Sequence, residues 1–126
     1  MEKTRKRILC VEDDEDTCQL IIYLLGRANY EVVAVGTISD GLRRAQSDRY
    51  DLYLLDHLLP DGTGIELCQQ LRALAPYTPI LFCSAAAYDS DRENALGAGA
   101  QAYLTKPLDL DYLEETISRL LGGPAT

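Results

Sequence analysis

The sequence holds one histidine, His57, and its four cysteines, Cys10, Cys18, Cys68 and Cys83, form no CxxC pair. Zinc-type ligand spacing is therefore absent. Each cysteine sits among apolar residues, as reduced core thiols of a cytoplasmic protein do. Long apolar runs are also missing. No stretch approaches the length that spans a bilayer, and the N-terminus lacks the apolar segment of a signal peptide. Positive charge is scarce: 12 Lys and Arg against 20 Asp and Glu give a net charge of -8. Such a balance argues against direct binding of nucleic acid. The one basic cluster, "KTRKR" (3–7), is short and suits the solubilising or orienting of a terminus.

What is present fits one globular domain. The chain has 126 residues, 47% apolar and 25% charged, enough for a hydrophobic core and too apolar for disorder. We expect a single domain over 1–126 with its core at about 7–121. The tail "GGPAT" (122–126) is too short to link to anything in the chain, though it could be the stump of a linker; a natural start at Met1 suggests that no domain precedes.

Short apolar runs alternate with amphipathic segments five times. "RILCV" (7–11), "YEVVAV" (30–35), "YDLYLL" (50–55), "PILFC" (79–83) and "AYL" (102–104) read as strands. Between them, Cys18, Ile21, Ile22, Leu25 and Ala28 mark one helix face, and Ile38, Leu42 and Ala45 a second. Leu67, Leu71 and Leu74 place a third helix over about 65–74, stopped by Ala75-Pro76. "DSDRENALGAG" (89–99) is a weaker helix, interrupted by Gly97 and Gly99. Leu110, Leu113, Ile117 and Leu120 line the last, which Gly122-Gly123 should cap. Strands without period-two alternation, separated by helices, specify a parallel sheet covered on both faces, joined by right-handed crossovers.

In such sheets the working residues gather beyond the carboxyl ends of the strands. The first strand runs into "EDDED" (12–16), the third delivers Asp56, the fourth Ser84, and the fifth Thr105 and Lys106. Neighbouring strands lie about 4.8 Å apart, so these groups converge. Carboxylates held together repel unless a cation intervenes. Oxygen ligands without histidine or thiolate suit a hard ion, Mg²⁺ above all. One carboxylate could then attack a phosphoryl group, with lysine and hydroxyl neutralising the oxygens. The plainer reading is that Asp14, Glu15 or Asp16 only starts a helix, where carboxylates are favoured. Four strand ends that each supply a fitting residue favour the site.

Four pieces, "ILCVEDDED" (8–16), "YDLYLLDHLLPDGTG" (50–64), "PILFCSA" (79–85) and "GAQAYLTKPL" (99–108), occur in order. Together they resemble the receiver domain of two-component response regulators, over about residues 7–121. The resemblance implies a flavodoxin-like doubly wound sheet in the order 2-1-3-4-5. It implies that Asp56 accepts a phosphoryl group from a histidine kinase or phosphotransfer protein. Glu12 and Asp13 match the acidic pair that holds Mg²⁺, with Asp13 the closer; Asp56 adds a side-chain oxygen and Leu58 its backbone carbonyl. Ser84 matches the switch hydroxyl, Lys106 the lysine that pairs with the phosphoryl group, and Tyr103 the aromatic whose ring rotates inward on activation. The Lys106–Pro107 bond is cis in relatives.

Some details make sense without the family. Pro107 restricts the backbone of Lys106, and Pro60-Asp61-Gly62 is good turn chemistry after Asp56. Gly64 suits close packing where the third helix begins. His57, at a position that varies among relatives, is expected to be partly exposed and to adjust access or hydrolysis. Helix four is expected to be the least anchored element of a readout surface, formed with strand five and helix five (about 88–121). Helix five could serve a homodimer formed on phosphorylation, yet Asp111, Glu114, Glu115 and Arg119 lack the basic pattern of dimerising DNA-binding relatives. The downstream partner is not legible. An Mg²⁺-dependent phosphatase would want a second acid two residues after Asp56, where Leu58 stands, so we expect a signalling domain rather than an enzyme. A receiver that only binds partners is the other alternative, and the complete acidic pocket argues against it.

Overall fold

A computed structural model describes residues 5–122. In chain order the elements are β1 (Arg7–Val11), α1 (Glu15–Arg27), β2 (Glu31–Val35), α2 (Ile38–Ser47), β3 (Leu52–Leu55), β4 (Leu58–Leu59), β5 (Gly62–Thr63), α3 (Gly64–Leu74), β6 (Ile80–Ser84), α4 (Asp89–Gly97), β7 (Ala102–Thr105) and α5 (Leu110–Leu120). Five strands form a parallel sheet in the order β2-β1-β3-β6-β7. With the two-residue antiparallel ladder β4–β5 set aside, this is the doubly wound 2-1-3-4-5 order expected. The tail after Gly122, including Gly123 and most of "GGPAT", and the start of "KTRKR" lie outside the described residues.

Side chains of a strand point alternately to its two faces, so each apolar strand feeds two cores. Leu9, Val11, Tyr53, Leu55, Ile80 and Phe82 pack under α2, α3 and α4 through Ile38, Leu67, Leu71 and Ala95. Ile8, Cys10, Leu52, Leu54, Leu81 and Cys83 pack under α1 and α5 through Ile21, Leu25, Leu113 and Ile117. β3 is the central strand, and all four of its residues are buried.

Helix starts follow the side-chain chemistry. Asp14, Thr37, Thr63 and Asp109 each accept a hydrogen bond from the third backbone N–H that follows, at α1, α2, α3 and α5, satisfying donors that a helix start leaves free. Just past the C-cap of α5 at Leu121, Gly122 has a φ of +98°, a left-handed conformation that glycine adopts freely.

Two apolar positions depart from the periodicity. Ile22 is 42% and Leu74 48% exposed. The buried stripe of α1 is narrow and runs through Ile21 and Leu25, with Ile22 rotated away. On α3 it runs through Gly64, Leu67, Cys68 and Leu71, so Cys68 takes the place that spacing alone gave to Leu74. α4 buries Ala95 alone.

Candidate functional site

Three site residues are held by backbone bonds one step beyond the strands. Glu12 N donates to Val35 O at 2.9 Å, Asp56 N to Val11 O at 3.0 Å, and Lys106 N to Ser84 O at 2.8 Å. The ladder thus runs on past Val11, Leu55 and Thr105 and fixes where each side chain starts. Ser84 is the last residue of β6 rather than the first one after it, and is buried.

Lys106 joins the carboxylates. Its Nζ lies 2.6 Å from Glu12 Oε1 and 3.5 Å from Asp56 Oδ2. The other Glu12 oxygen accepts from Asp14 N at 3.1 Å, and Asp56 Oδ1 accepts from His57 N at 2.7 Å. Glu12 is 4% exposed and Asp56 9%, while Asp13 faces solvent. Burial pushes the Glu12 carboxyl above its ordinary range; the Lys106 and Asp14 hydrogen bonds oppose this and Asp56 reinforces it. Desolvation works to lower the Lys106 ammonium, but the Glu12 hydrogen bond and the charges of Asp56 and Glu12 outweigh it and raise its pKa.

Glu12, Asp13 and Asp56 each offer a carboxylate oxygen, all within 4.8 Å of one another. Three hard oxygen donors with no nitrogen or sulfur among them fit Mg²⁺, which takes oxygen at about 2.1 Å and keeps several waters. Both Glu12 oxygens already have partners, so the exposed Asp13 is the freer donor.

Beside the carboxylates lies an aromatic layer. Tyr103 is 2% exposed and its hydroxyl donates to Ala86 O at 2.6 Å, so the ring already points inward. Ser84 Oγ accepts from Ala86 N at 3.1 Å, which ties both side chains to one residue of the β6–α4 loop. Phe82 stacks on Tyr103 at 5.6 Å, and His57 meets both rings edge-on at 6.3 and 6.5 Å. The His57 side chain is 13% exposed, its two ring nitrogens have no hydrogen-bond partner among the described residues, and Nε2 is 3.8 Å from Asp91 of α4. A cleft of about 510 Å³ opens above it between Leu58, Ala85–Ala87 and Tyr88. A larger groove of about 690 Å³ lies at the opposite end of the sheet, around Tyr50 and Pro76, and contains none of the site groups; chemistry rather than size locates the site.

The turn after Asp56 does more than reverse the chain. Leu58 is 65% exposed and pairs with Thr63 in the small ladder, Pro60 is exposed, and Gly62 has φ +152°. Asp61 reaches α2 and accepts from Ile38 N at 2.8 Å and Ser39 N at 3.1 Å. Gly64 N donates to His57 O at 2.7 Å. A Cβ at Gly64 would stand 2.1 Å from the Asp56 carbonyl oxygen and 2.9 Å from the Phe82 ring, which is the close packing expected of it. The Lys106–Pro107 bond is cis.

Sequence reasoning missed two contributors. Asp61 was legible only as a turn residue. Arg72 on α3 donates to the carbonyls of Ala75, Pro76, Thr78 and Gly99 and to Gln101 Oε1, pinning the approaches to β6 and β7. No local signal announces such a staple.

Among proteins of known structure the fold is well populated. A CheY-like receiver domain protein from Methanospirillum hungatei JF-1 superposes with a TM-score of 0.91 at 32% identity, over 94% of this chain and 95% of that one. The receiver domain of sensor histidine kinase PA1611 from Pseudomonas aeruginosa PAO1, described with a magnesium ion coordinated in its active site cleft, gives 0.87 at 33% identity over 95% and 100%. The alkaline phosphatase synthesis transcriptional regulatory protein PhoP of Bacillus subtilis is 38% identical over 116 residues, 92% of this chain and 48% of that protein. The chain spans about half the length of the curated relatives it matches first. Residues 8–118 match the response regulator receiver domain, and the chain belongs to that family, the signal-receiving part of two-component systems.

Proposed function

We propose that this chain is a phosphoacceptor in a two-component relay. Asp56 takes a phosphoryl group from a phosphohistidine on a histidine kinase or phosphotransfer protein. The observation that carries the reading is the Lys106 ammonium set between the Glu12 and Asp56 carboxylates, beside three oxygen donors within 4.8 Å of one another. Asp13, Glu12, Asp56 and the Leu58 carbonyl are the groups that would hold Mg²⁺. Bound there, Mg²⁺ supplies positive charge against the transferring phosphoryl oxygens.

The chain's own residues do the rest. One Asp56 oxygen is held by His57 N and the other faces Lys106, so the carboxylate is oriented before a donor arrives. Lys106 offsets charge on the incoming phosphoryl oxygens, and Ser84 supplies a hydroxyl once it leaves Ala86 N. That exchange tugs the loop which also holds the Tyr103 hydroxyl. Phosphorylation thereby biases a two-state equilibrium of Tyr103, α4, β7 and α5, the surface read by a downstream partner. α4, with one buried residue, is the element that moves most easily. We assign the chain no turnover beyond slow self-phosphorylation from small donors and slow loss of the acyl phosphate.

The test is incubation with Mg²⁺ and acetyl phosphate followed by intact mass measurement, beside Asp56→Asn and a chelated sample. The reading expects one added phosphoryl group, absent from both controls. Failure with acetyl phosphate and with a panel of histidine kinases would leave a binding module instead.

A further inference from the structure

Cys10 and Cys18 stand directly behind the acidic cleft and have no part in the function proposed above. Cys10 is the fourth residue of β1 and is buried against Ile21 and Leu25 of α1. Cys18 lies one and two turns before those residues on the same helix face, so it overlies the end of β1. Its Sγ is 3.1 Å from the Glu12 carbonyl oxygen, and Glu12 is the neighbour of Cys10 on that side of the strand. Both side chains thus lie at the same contact between β1 and α1. Cys10 is 1% exposed, whereas Cys18 keeps part of its surface in solvent. Both are free thiols. An accessible sulfur backed by a buried one is the arrangement in which a first oxidation is resolved by a disulfide. Cys68 and Cys83 are buried as Cys10 is, at 0% and 2% exposed, so neither offers a first sulfur to an oxidant in solvent.

We propose that Cys10 and Cys18 form a hydroperoxide-sensitive dithiol that closes to a disulfide, tying α1 to β1 behind the cleft. The Cys18 sulfur attacks the outer oxygen of the hydroperoxide, the O–O bond breaks, and an alcohol or water leaves, giving a sulfenic acid. The Cys10 sulfur then attacks the Cys18 sulfur; its proton leaves with the hydroxyl as water and the S–S bond forms. Two thiols give up two electrons to one hydroperoxide, so the step balances, and a thiol reductant reverses it. Closure also takes the Cys18 donor away from the Glu12 carbonyl, and this is how oxidation reaches the carboxylates. That last link rests on the Mg²⁺ reading above; disulfide formation does not.

The experiment treats the purified wild-type chain with hydrogen peroxide, blocks remaining thiols and maps peptides by mass spectrometry. The expected product joins the peptides of Cys10 and Cys18, with Cys68 and Cys83 alkylated. Cys18→Ser abolishes the linkage, and Cys10→Ser stops at an oxygen adduct on Cys18. Oxidation of Cys18 with no linkage in the wild type, linkage to Cys68 or Cys83, or no reaction at all overturns the proposal. Calorimetric titration with Mg²⁺ before and after oxidation reads the coupling. We expect about tenfold weaker binding, as for loss of a hydrogen bond behind a metal ligand, restored by reductant; a disulfide with unchanged affinity overturns that link alone.

Discussion

The Lys106 ammonium is bonded to Glu12 at 2.6 Å, across 94 residues of sequence, in a site where Glu12 is 4% exposed. A carboxylate so buried holds its charge at a cost unless a partner compensates it, and here the partner also faces Asp56 at 3.5 Å. One lysine therefore offsets the repulsion between two carboxylates before any cation binds.

Replacing Lys106 by Met should lower stability in chelator by about 2 kcal/mol. That lies below the range for fully buried pairs, because the lysine remains partly solvated. Urea unfolding reads the change. Acetyl phosphate uptake in the same variant should slow by about a hundredfold, the loss expected when one charge-stabilising group is removed. Unchanged uptake would remove Lys106 from the phosphoryl chemistry.

Gly64→Ala tests the close approach of α3 to the acceptor strand. The new methyl would meet the Asp56 carbonyl at 2.1 Å and the Phe82 ring at 2.9 Å, so backbone must shift. The expected cost is about 2 kcal/mol, as for overpacking in a tight core, read as a lower urea midpoint. Phosphoryl uptake should fall with it, because the displaced carbonyl belongs to Asp56.

Much of this was legible in the sequence because it depends on position along strands. Once "RILCV", "YDLYLL" and "PILFC" read as parallel strands, their ends had to lie together, and Glu12, Asp56 and Ser84 came with them. Helix phase was less legible. Ile22 and Leu74 suit an apolar face by spacing, but tertiary packing chose Ile21 and Cys68. Least legible were contacts made across the fold by exposed or neutral-looking residues. The reach of Asp61 to α2, the Arg72 staple and the inward turn of His57 against Phe82 and Tyr103 each depend on where a distant segment lands.

Asp61 gives the site's surroundings a pH signature. The Ile38 N–H, helped by that of Ser39, holds its carboxyl below the ordinary value of 3.8 against a smaller effect of desolvation. A depressed value in the folded state means that the folded chain binds this proton less readily than the unfolded one. Its stabilising contribution is therefore complete above 3.8 and is lost as pH falls through the depressed value. Asp61→Ala should unfold at lower urea than the wild type at neutral pH, with the gap closing in acid below 3.8. A gap independent of pH would mean that the charge of Asp61 contributes nothing.

The central claim is that Asp56 itself carries the phosphoryl group. An acyl phosphate on aspartate is reduced by borohydride to homoserine, which marks the residue permanently. The measurement is peptide sequencing by mass spectrometry after phosphorylation from a histidine kinase or acetyl phosphate with Mg²⁺, then borohydride. The account predicts homoserine at position 56 and intact aspartate at positions 13, 14 and 61. Homoserine at Asp13, or phosphate recovered on any other residue with Asp56 intact, would contradict it.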